Sequence, residues 1–299
     1  MTDYERISLI YRGLFADTYE NNLYVFLCGG SAKGCVRNKI RRFLEDNHIQ
    51  VLYPEDLFME MMNRDKNANL IEYENKLADS VDAVVLICES EGAAAELGAF
   101  VQLDRIIDKL YIGIKYKERR NNSFIRLGPV KLLETRFKNK DNRIFYYKPS
   151  DLSDFENKLL KTLEAKRWRK NNASAHKKTP DFGKMPEYIS LIPIILYFYQ
   201  EMPRLLLYQS LKQLVTELFS QNKDFSHLFN ASIQYLYKLG YISTVGIFDI
   251  KTGVNNQRLV LTDKGYRYVC SFLRKTATNE KIKLQDKIRC DILKVQLNN

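Results

Sequence analysis

The 299-residue sequence has few of the residues that metal and disulfide chemistry requires. It contains three histidines and five cysteines, all scattered, and no two cysteines have the CxxC spacing of a zinc or redox site. We therefore expect no metal site and no bound cofactor. Unpaired thiols are typical of a reducing compartment, so we expect a cytoplasmic protein.

Long hydrophobic segments are also lacking, and the sequence shows no pattern typical of a leader peptide. The longest apolar run, YISLIPIILYFY at 188–199, is too short to cross a bilayer and contains Pro193. This run predicts a buried helix. No charged segment followed by an apolar one opens the sequence, so neither a signal peptide nor a membrane partner is expected.

The charge is unevenly distributed along the chain. Residues 1–165 contain 25 Lys and Arg against 26 Asp and Glu, and residues 166–299 contain 22 against 10. These counts give net charges of −1 and +12, which add up to the +11 of the whole chain. A neutral first part and a basic second part predict that only the second part binds a polyanion such as nucleic acid.

Apolar runs alternate with helical stretches in the first part of the sequence, and a last helix is expected at 151–165. This alternation predicts an α/β domain over 1–165, with a doubly wound parallel sheet and ligands at the carboxyl ends of its strands. The predicted strands are LYVFLC (23–28), IQVLY (49–53), AVVLIC (83–88), LYIGIKY (110–116) and RIFYY (143–147).

The remaining sequence predicts a basic linker at 166–186 and a smaller winged-helix domain at 187–299. Helical patterns at 187–200, 205–219 and 225–242 precede a hairpin, FDIKTGVNNQRLVL (248–261), and a further helix. Cations in the linker and at the hairpin tip suit phosphate contacts. The predicted nucleic-acid-binding residues are Lys166, Arg167, Arg169, Lys170, Lys177, Lys178, Lys251 and Arg258.

Two strand ends in the first part carry candidate ligand contacts. In CGGSAKGCVR (28–37), glycines between a strand and a helix let backbone N–H groups approach a phosphate, although the same pattern also fits a tight turn. Here Gly29, Gly30 and Ser31 are expected beside the ligand, with Arg37 facing an anion. In LYPEDLF (52–58), Asp56 suits a ribose hydroxyl or a helix cap.

A third strand end, ICESEGAAAELGAF (87–100), carries the candidate for catalysis. Glu89, Ser90 and Gly92 are expected in the turn, and Glu96 on the helix that follows, among alanines that permit close packing. A lone glutamate on a helix is usually solvated. Its position at the ligand edge of an α/β sheet favours a pocket instead.

These stretches resemble the nucleoside 2-deoxyribosyltransferase-like fold. The whole chain resembles more closely the effectors of type II retrons, bacterial anti-phage systems that join this fold to a C-terminal winged helix. Deoxyribosyltransferases carry their nucleophile in the pattern D-x-G-[ST]-A-x-E-x-G, to which Glu96, Gly92 and Gly98 correspond. The sequence departs from the pattern where Ala93 replaces Ser/Thr and where glutamates replace the preceding aspartates.

The resemblance implies a toxin that cleaves the nicotinamide–ribose bond of NAD, its substrate, through Glu96. It also implies assembly with the retron reverse transcriptase and its multicopy single-stranded DNA (msDNA, an RNA–DNA hybrid). Nicotinamide leaves without a proton donor, and the absence of a histidine near these motifs fits NAD better than a nucleoside. The alternatives are a nucleotide-sensing winged-helix transcription regulator and a nucleoside deoxyribosyltransferase or hydrolase.

Overall fold

The computed structural model describes residues 1–20, 22–53, 70–138, 142–172, 182–219, 225–249, 254–274 and 277–298. They form two compact units. One is Asn22–Ser174, and the other combines Met1–Asn21 with Ala175–Asn299. The chain opens with helices α1 (Asp3–Ile10) and α2 (Ala16–Glu20), joined by a π-helical stretch, Tyr11–Phe15, and these belong to the second unit.

Five parallel strands form the core of the unit Asn22–Ser174, and their order is β2-β1-β3-β4-β5. Their central members are buried along almost their whole length, as continuous apolar runs predict for a sheet covered on both faces. The predicted α/β class is therefore confirmed. The strands are β1 (Tyr24–Gly29), β2 (Gln50–Leu52), β3 (Ala83–Cys88), β4 (Leu110–Lys115) and β5 (Ile144–Tyr147).

Helices cover both faces of this sheet. Apolar residues of α3 and α8 share one buried cluster with alternate strand residues such as Val85 and Ile87, while α5 packs on the other face, where Phe100 meets Phe26 edge-on at 6.3 Å between ring centroids. The helices are α3 (Val36–Asp46), α4 (Leu70–Ser80), α5 (Glu91–Phe100), α6 (Asp104–Ile107), α7 (Lys131–Arg136) and α8 (Ser153–Asn172).

The second unit contains a small antiparallel sheet among helices. Its strands are β6 (Glu201–Pro203), β7 (Ile242–Asp249) and β8 (Val254–Leu261), paired in the order β6-β8-β7. The element order matches the predicted helix, helix, helix, hairpin and helix, with β6 and a last helix in addition. The helices are α9 (Met185–Tyr199), α10 (Arg204–Phe219), α11 (Phe225–Lys238), α12 (Asp263–Arg274) and α13 (Asn279–Asn298).

The longest apolar run lies within α9, as predicted. Fourteen of the fifteen α9 residues are buried, and Pro193 lies inside the helix. Within the described ranges, no helix combines the length and apolar character needed to cross a membrane. The same ranges contain no cluster of His, Cys, Asp or Glu that could hold a metal ion.

The division into units differs from the predicted boundaries at both ends of the α/β domain. Residues 1–20 were assigned to that domain, yet they belong to the other unit. Their amphipathic pattern explains this, because Ile7, Ile10 and Phe15 are fully buried there. The predicted linker at 166–186 begins as helix, because α8 runs on to Asn172 through a segment without glycine or proline.

The redrawn boundaries remove the predicted charge contrast. The unit Asn22–Ser174 contains 27 Lys and Arg against 22 Asp and Glu, and the other unit contains 20 against 14, which gives net charges of +5 and +6. Acidic residues of α1 and α2 move to the second unit, and the cations at the end of α8 move to the first. The expectation that only the second part attracts polyanions therefore loses its basis.

Candidate active site

The strand order places the loops that follow β1 and β3 side by side. Residues Gly29 and Ile87 are register partners at the carboxyl ends of these two strands. The connections from β1 and β3 leave in opposite directions along the sheet, and this reversal is where doubly wound folds bind their ligands. The two predicted ligand loops, 28–37 and 87–100, therefore meet at one crevice.

Glycine is required at the end of β1. Gly29 has φ +148°, and a Cβ there would lie 2.9 Å from the Ile87 carbonyl oxygen. A Cβ on Gly30 would lie 3.1 Å from Cγ of Glu89. The small residues at 29 and 30 therefore let the loop after β1 approach β3 and Glu89 closely. The expected approach to a ligand stays a prediction.

Glu89 joins the two loops. Its carboxylate oxygens accept hydrogen bonds from the backbone N–H groups of Val36 (3.0 Å) and Arg37 (3.1 Å) at the start of α3. The helix has no side-chain cap of its own, because Cys35 at the N-cap position makes none. Glu89 thus replaces the missing cap from a neighbouring loop, and the expected contact between this carboxylate and a substrate stays a prediction.

Replacing Glu89 by Ala should destabilise the protein by about 1–3 kcal/mol, because two part-buried backbone N–H groups lose their acceptor. Urea unfolding measures this loss. The matched control is Glu91→Ala, which removes an exposed glutamate two residues away and should change stability by less than about 0.5 kcal/mol. Equal losses in the two variants would show that the bonds to α3 contribute little.

Glu96 is turned toward the end of β3. Its Oε2 atom is buried, and its side chain as a whole is half-buried. Its charge acts on Cys88, the last residue of β3. The 3₁₀ helix Tyr116–Arg120, which follows β4, brings Glu118 to the same thiol. Glu96 is therefore not a fully solvated surface charge, and it belongs to an acidic cluster at the carboxyl edge.

The thiol in this cluster is held in its neutral form. Burial raises the pKa of Cys88 most and the charge of Glu118 raises it further, while Lys115 lowers it and Glu96 makes the smallest contribution, which raises it. A thiol is a nucleophile only as the thiolate. Glu96, not Cys88, is therefore the group suited to attack a carbon at neutral pH.

We expect iodoacetamide to modify Cys88 much more slowly than the exposed Cys290 at pH 8. The pKa of Cys88 is raised, so the gap between the two rates should narrow as the pH rises toward 10 and more Cys88 becomes thiolate. Mass spectrometry of alkylated peptides measures both rates. Comparable rates at pH 8 would contradict the protected, neutral thiol.

The other predicted contacts are placed differently. Arg37 is 4% exposed, and its guanidinium carbon lies 4.8 Å from the centroid of the Tyr53 ring. Ser90 caps α5 by accepting a hydrogen bond from Ala93 N–H at 3.2 Å. Ser31 is exposed on the loop after β1, whereas Gly92, which was expected in the turn, is exposed in the first turn of α5. Asp56 lies outside the described residues.

Sequence reasoning did not include Tyr147, the last residue of β5. Its side chain is 2% exposed, and its hydroxyl has no hydrogen-bond partner among the residues that the structure describes. Burial raises its pKa most, and the negative charge of Glu89 raises it further, so the phenol stays protonated. Side chains alternate between the two faces of a strand, so the run RIFYY places Tyr147 on the same face as Phe145, at the end of the strand. This pattern was the one signal in the sequence that could have identified Tyr147.

The predicted nucleic-acid contacts fall on three different parts of the chain. Lys166, Arg167, Arg169 and Lys170 lie in α8 of the first unit, beside Trp168, which is 68% exposed. Arg258 was predicted at a hairpin tip, and this is wrong. It lies within β8, opposite Val245 and Pro203, and its Nη1 is 2.7 Å from Glu201 Oε1. Lys177, Lys178 and Lys251 lie outside the described residues.

The fold and the site thus define a class of protein with two units. One is a doubly wound α/β unit with Glu89 and Glu96 at the carboxyl edge of its sheet, and the other contains a small antiparallel sheet. The profile of the STM3845 retron effector protein family matches residues 33–244, which is more than half of the sequence. The chain belongs to this family, and the resemblance to retron effectors is confirmed.

Two curated proteins of Escherichia coli are similar to parts of the chain. The "Retron Ec86 putative ribosyltransferase/DNA-binding protein" is 37% identical over 112 residues, which cover 36% of each chain. The "Retron Ec73 putative ribosyltransferase/DNA-binding protein" is 27% identical over 136 residues, which cover 43% of each chain. The similarity thus spans less than half the length of either relative.

Proposed function

We propose that this retron effector is an N-glycosidase that cleaves the nicotinamide–ribose bond of NAD at the crevice between β1 and β3. The observation that carries the proposal is the position of Glu96, half-buried at the sheet's ligand edge beside a neutral thiol. The ribosyltransferase names of the two E. coli relatives support glycosyl transfer as the type of reaction.

The proposed reaction uses the carboxylate of Glu96 at C1′ of the ribose. The carboxylate either forms a glycosyl ester or stabilises an oxocarbenium ion, as the C1′–N bond breaks and its electron pair neutralises the pyridinium nitrogen. Nicotinamide then leaves without a proton donor. Water completes the reaction at C1′, which yields ADP-ribose and one proton.

The acid requirement favours NAD over a purine nucleoside as the substrate. A purine leaving group needs a proton, and the raised pKa values of Cys88 and Tyr147 make both groups poor donors of one. His48 precedes β2, at the amino-terminal edge of the sheet and opposite the crevice. A nucleoside deoxyribosyltransferase or hydrolase is the second candidate, supported by the same glutamate.

Association with retron components is the second part of the proposal. Basic residues flank the exposed Trp168 in α8, and cations beside an exposed aromatic ring suit a single-stranded nucleic acid. The DNA-binding names of the relatives support the same partner class. The proposed partners are the retron reverse transcriptase and its msDNA, which would hold the toxin.

A single assay separates the candidates. The purified protein is incubated with NAD, nucleosides and nucleotides, with and without the reverse transcriptase–msDNA complex, and released bases are identified by mass spectrometry. Nicotinamide released from NAD supports the proposal. Release of a purine or pyrimidine without nicotinamide would replace it by the deoxyribosyltransferase or hydrolase function.

A further inference from the structure

The side chain of Tyr147 is held firmly on the α3–α8 face of the sheet. Its ring stacks on Phe155 of α8, with 5.6 Å between centroids and 29° between planes. Gly113 of β4 leaves the space for Phe155, since a Cβ there would lie 3.0 Å from Phe155 Cζ. The packing thus fixes the ring at the carboxyl end of β5.

Tyr147 lies at the carboxyl end of β5, at the same edge of the sheet as the loops after β1 and β3. Glu89, on the loop after β3, is the carboxylate whose charge acts most strongly on the phenol of Tyr147. Both oxygens of Glu89 already accept backbone N–H groups of α3. The buried phenolic group has no hydrogen-bond partner among the described residues at this edge.

A buried hydroxyl without a partner is costly, and phenylalanine would avoid that cost at the same position. Burying an unsatisfied polar group typically costs about 1–3 kcal/mol. Two residues earlier on the same strand face, Phe145 packs against the same Phe155 ring, at 5.8 Å between centroids. The packing alone thus requires an aromatic ring at position 147 and no hydroxyl.

We propose that the Tyr147 hydroxyl donates a hydrogen bond to an acceptor oxygen of the ligand in the crevice, either a ribose hydroxyl or a phosphoryl oxygen. This inference deepens the proposed function and depends on it only for the identity of the ligand. The raised pKa of the phenol supports a role as a neutral donor that does not transfer its proton. Tyr147 is thus a binding residue at the same edge of the sheet as Glu96.

The test compares Tyr147→Phe with Tyr146→Phe, a control that removes a half-buried hydroxyl from the neighbouring residue on the other strand face. Thermal unfolding is measured without ligand. Binding of NAD and of nicotinamide riboside is measured by calorimetry in the Glu96→Gln background, which prevents turnover. All variants are full-length chains.

We expect the two readouts for Tyr147→Phe to move in opposite directions. The Tm without ligand should rise by about 2–4 °C, and NAD affinity should fall about three- to tenfold. If the affinity for nicotinamide riboside falls by the same factor, the Tyr147 hydroxyl bonds to the sugar. If that affinity is unchanged, the hydroxyl bonds to a phosphoryl oxygen. The control should change neither quantity.

Other results overturn the inference. A lower Tm shows that the hydroxyl is bonded within the protein, for instance through a buried water, and unchanged affinity shows that it does not reach the ligand. If NAD does not bind even the protein with Tyr147, the proposed function fails. The inference then stands only if Tyr147→Phe weakens binding of nicotinamide riboside, ADP-ribose or inorganic phosphate.

Discussion

Glu96→Gln should abolish nicotinamide release, with a loss of about 10³-fold or more in rate, because the amide keeps the size of the side chain but cannot attack C1′. The fold should be unaffected, since the residue is half-buried and the substitution is isosteric. Circular dichroism and Tm verify the fold. The rate is measured by chromatography of nicotinamide.

The matched control for this variant is Glu91→Gln on the same helix. Glu91 is exposed in the first turn of α5. The rate of nicotinamide release by Glu91→Gln should therefore stay within about twofold of the rate of the unaltered protein. Equal losses in both variants would point to a general effect of charge on the helix. Activity of Glu96→Gln within a few-fold of the unaltered protein would remove Glu96 from the chemistry.

Nucleic-acid binding should weaken steeply with salt. Four phosphate contacts, one for each of the α8 cations at 166, 167, 169 and 170, give a slope of about −0.7 per contact on single strands. Affinity for a single-stranded oligonucleotide should therefore fall about 50-fold between about 50 and 200 mM salt. Fluorescence anisotropy measures the slope.

A double variant, Arg167→Ala with Arg169→Ala, removes two of these cations. It should make the slope of log affinity against log salt shallower by about 1.4. The control pair, Lys39→Ala with Arg42→Ala, removes the same charge from exposed positions of α3 in the same unit. The control should leave the slope within about 0.3 of its original value. If both pairs flatten the slope equally, binding follows net charge and has no defined surface on α8.

The sheet could be predicted from the sequence because its strands are buried on both faces. LYVFLC and AVVLIC have no polar residue to interrupt them, and they lie within one residue of β1 and β3. The prediction failed for residues 1–20, whose helices belong to a unit formed mostly by residues distant in sequence. The periodicity of apolar residues predicts a helix with one apolar face. It does not identify which part of the protein that face packs against.

The candidate site could be predicted only in part for a similar reason. Adjacent strand ends brought the loops 28–37 and 87–100 together, and Glu96 could be singled out from its alanine neighbours. The capping of α3 by Glu89 depends on two backbone N–H groups 52 and 53 residues away in sequence, so no local pattern contained it. Tyr147 became a candidate only when the burial of its hydroxyl was known.

The most direct test of the central claim is base release from NAD by the unaltered protein and by Glu96→Gln, followed by mass spectrometry in the same reaction series. We expect nicotinamide and ADP-ribose from the unaltered protein and neither product, above background, from the variant. Nicotinamide release that persists in the folded Glu96→Gln protein would contradict the assignment of Glu96 as the catalytic residue.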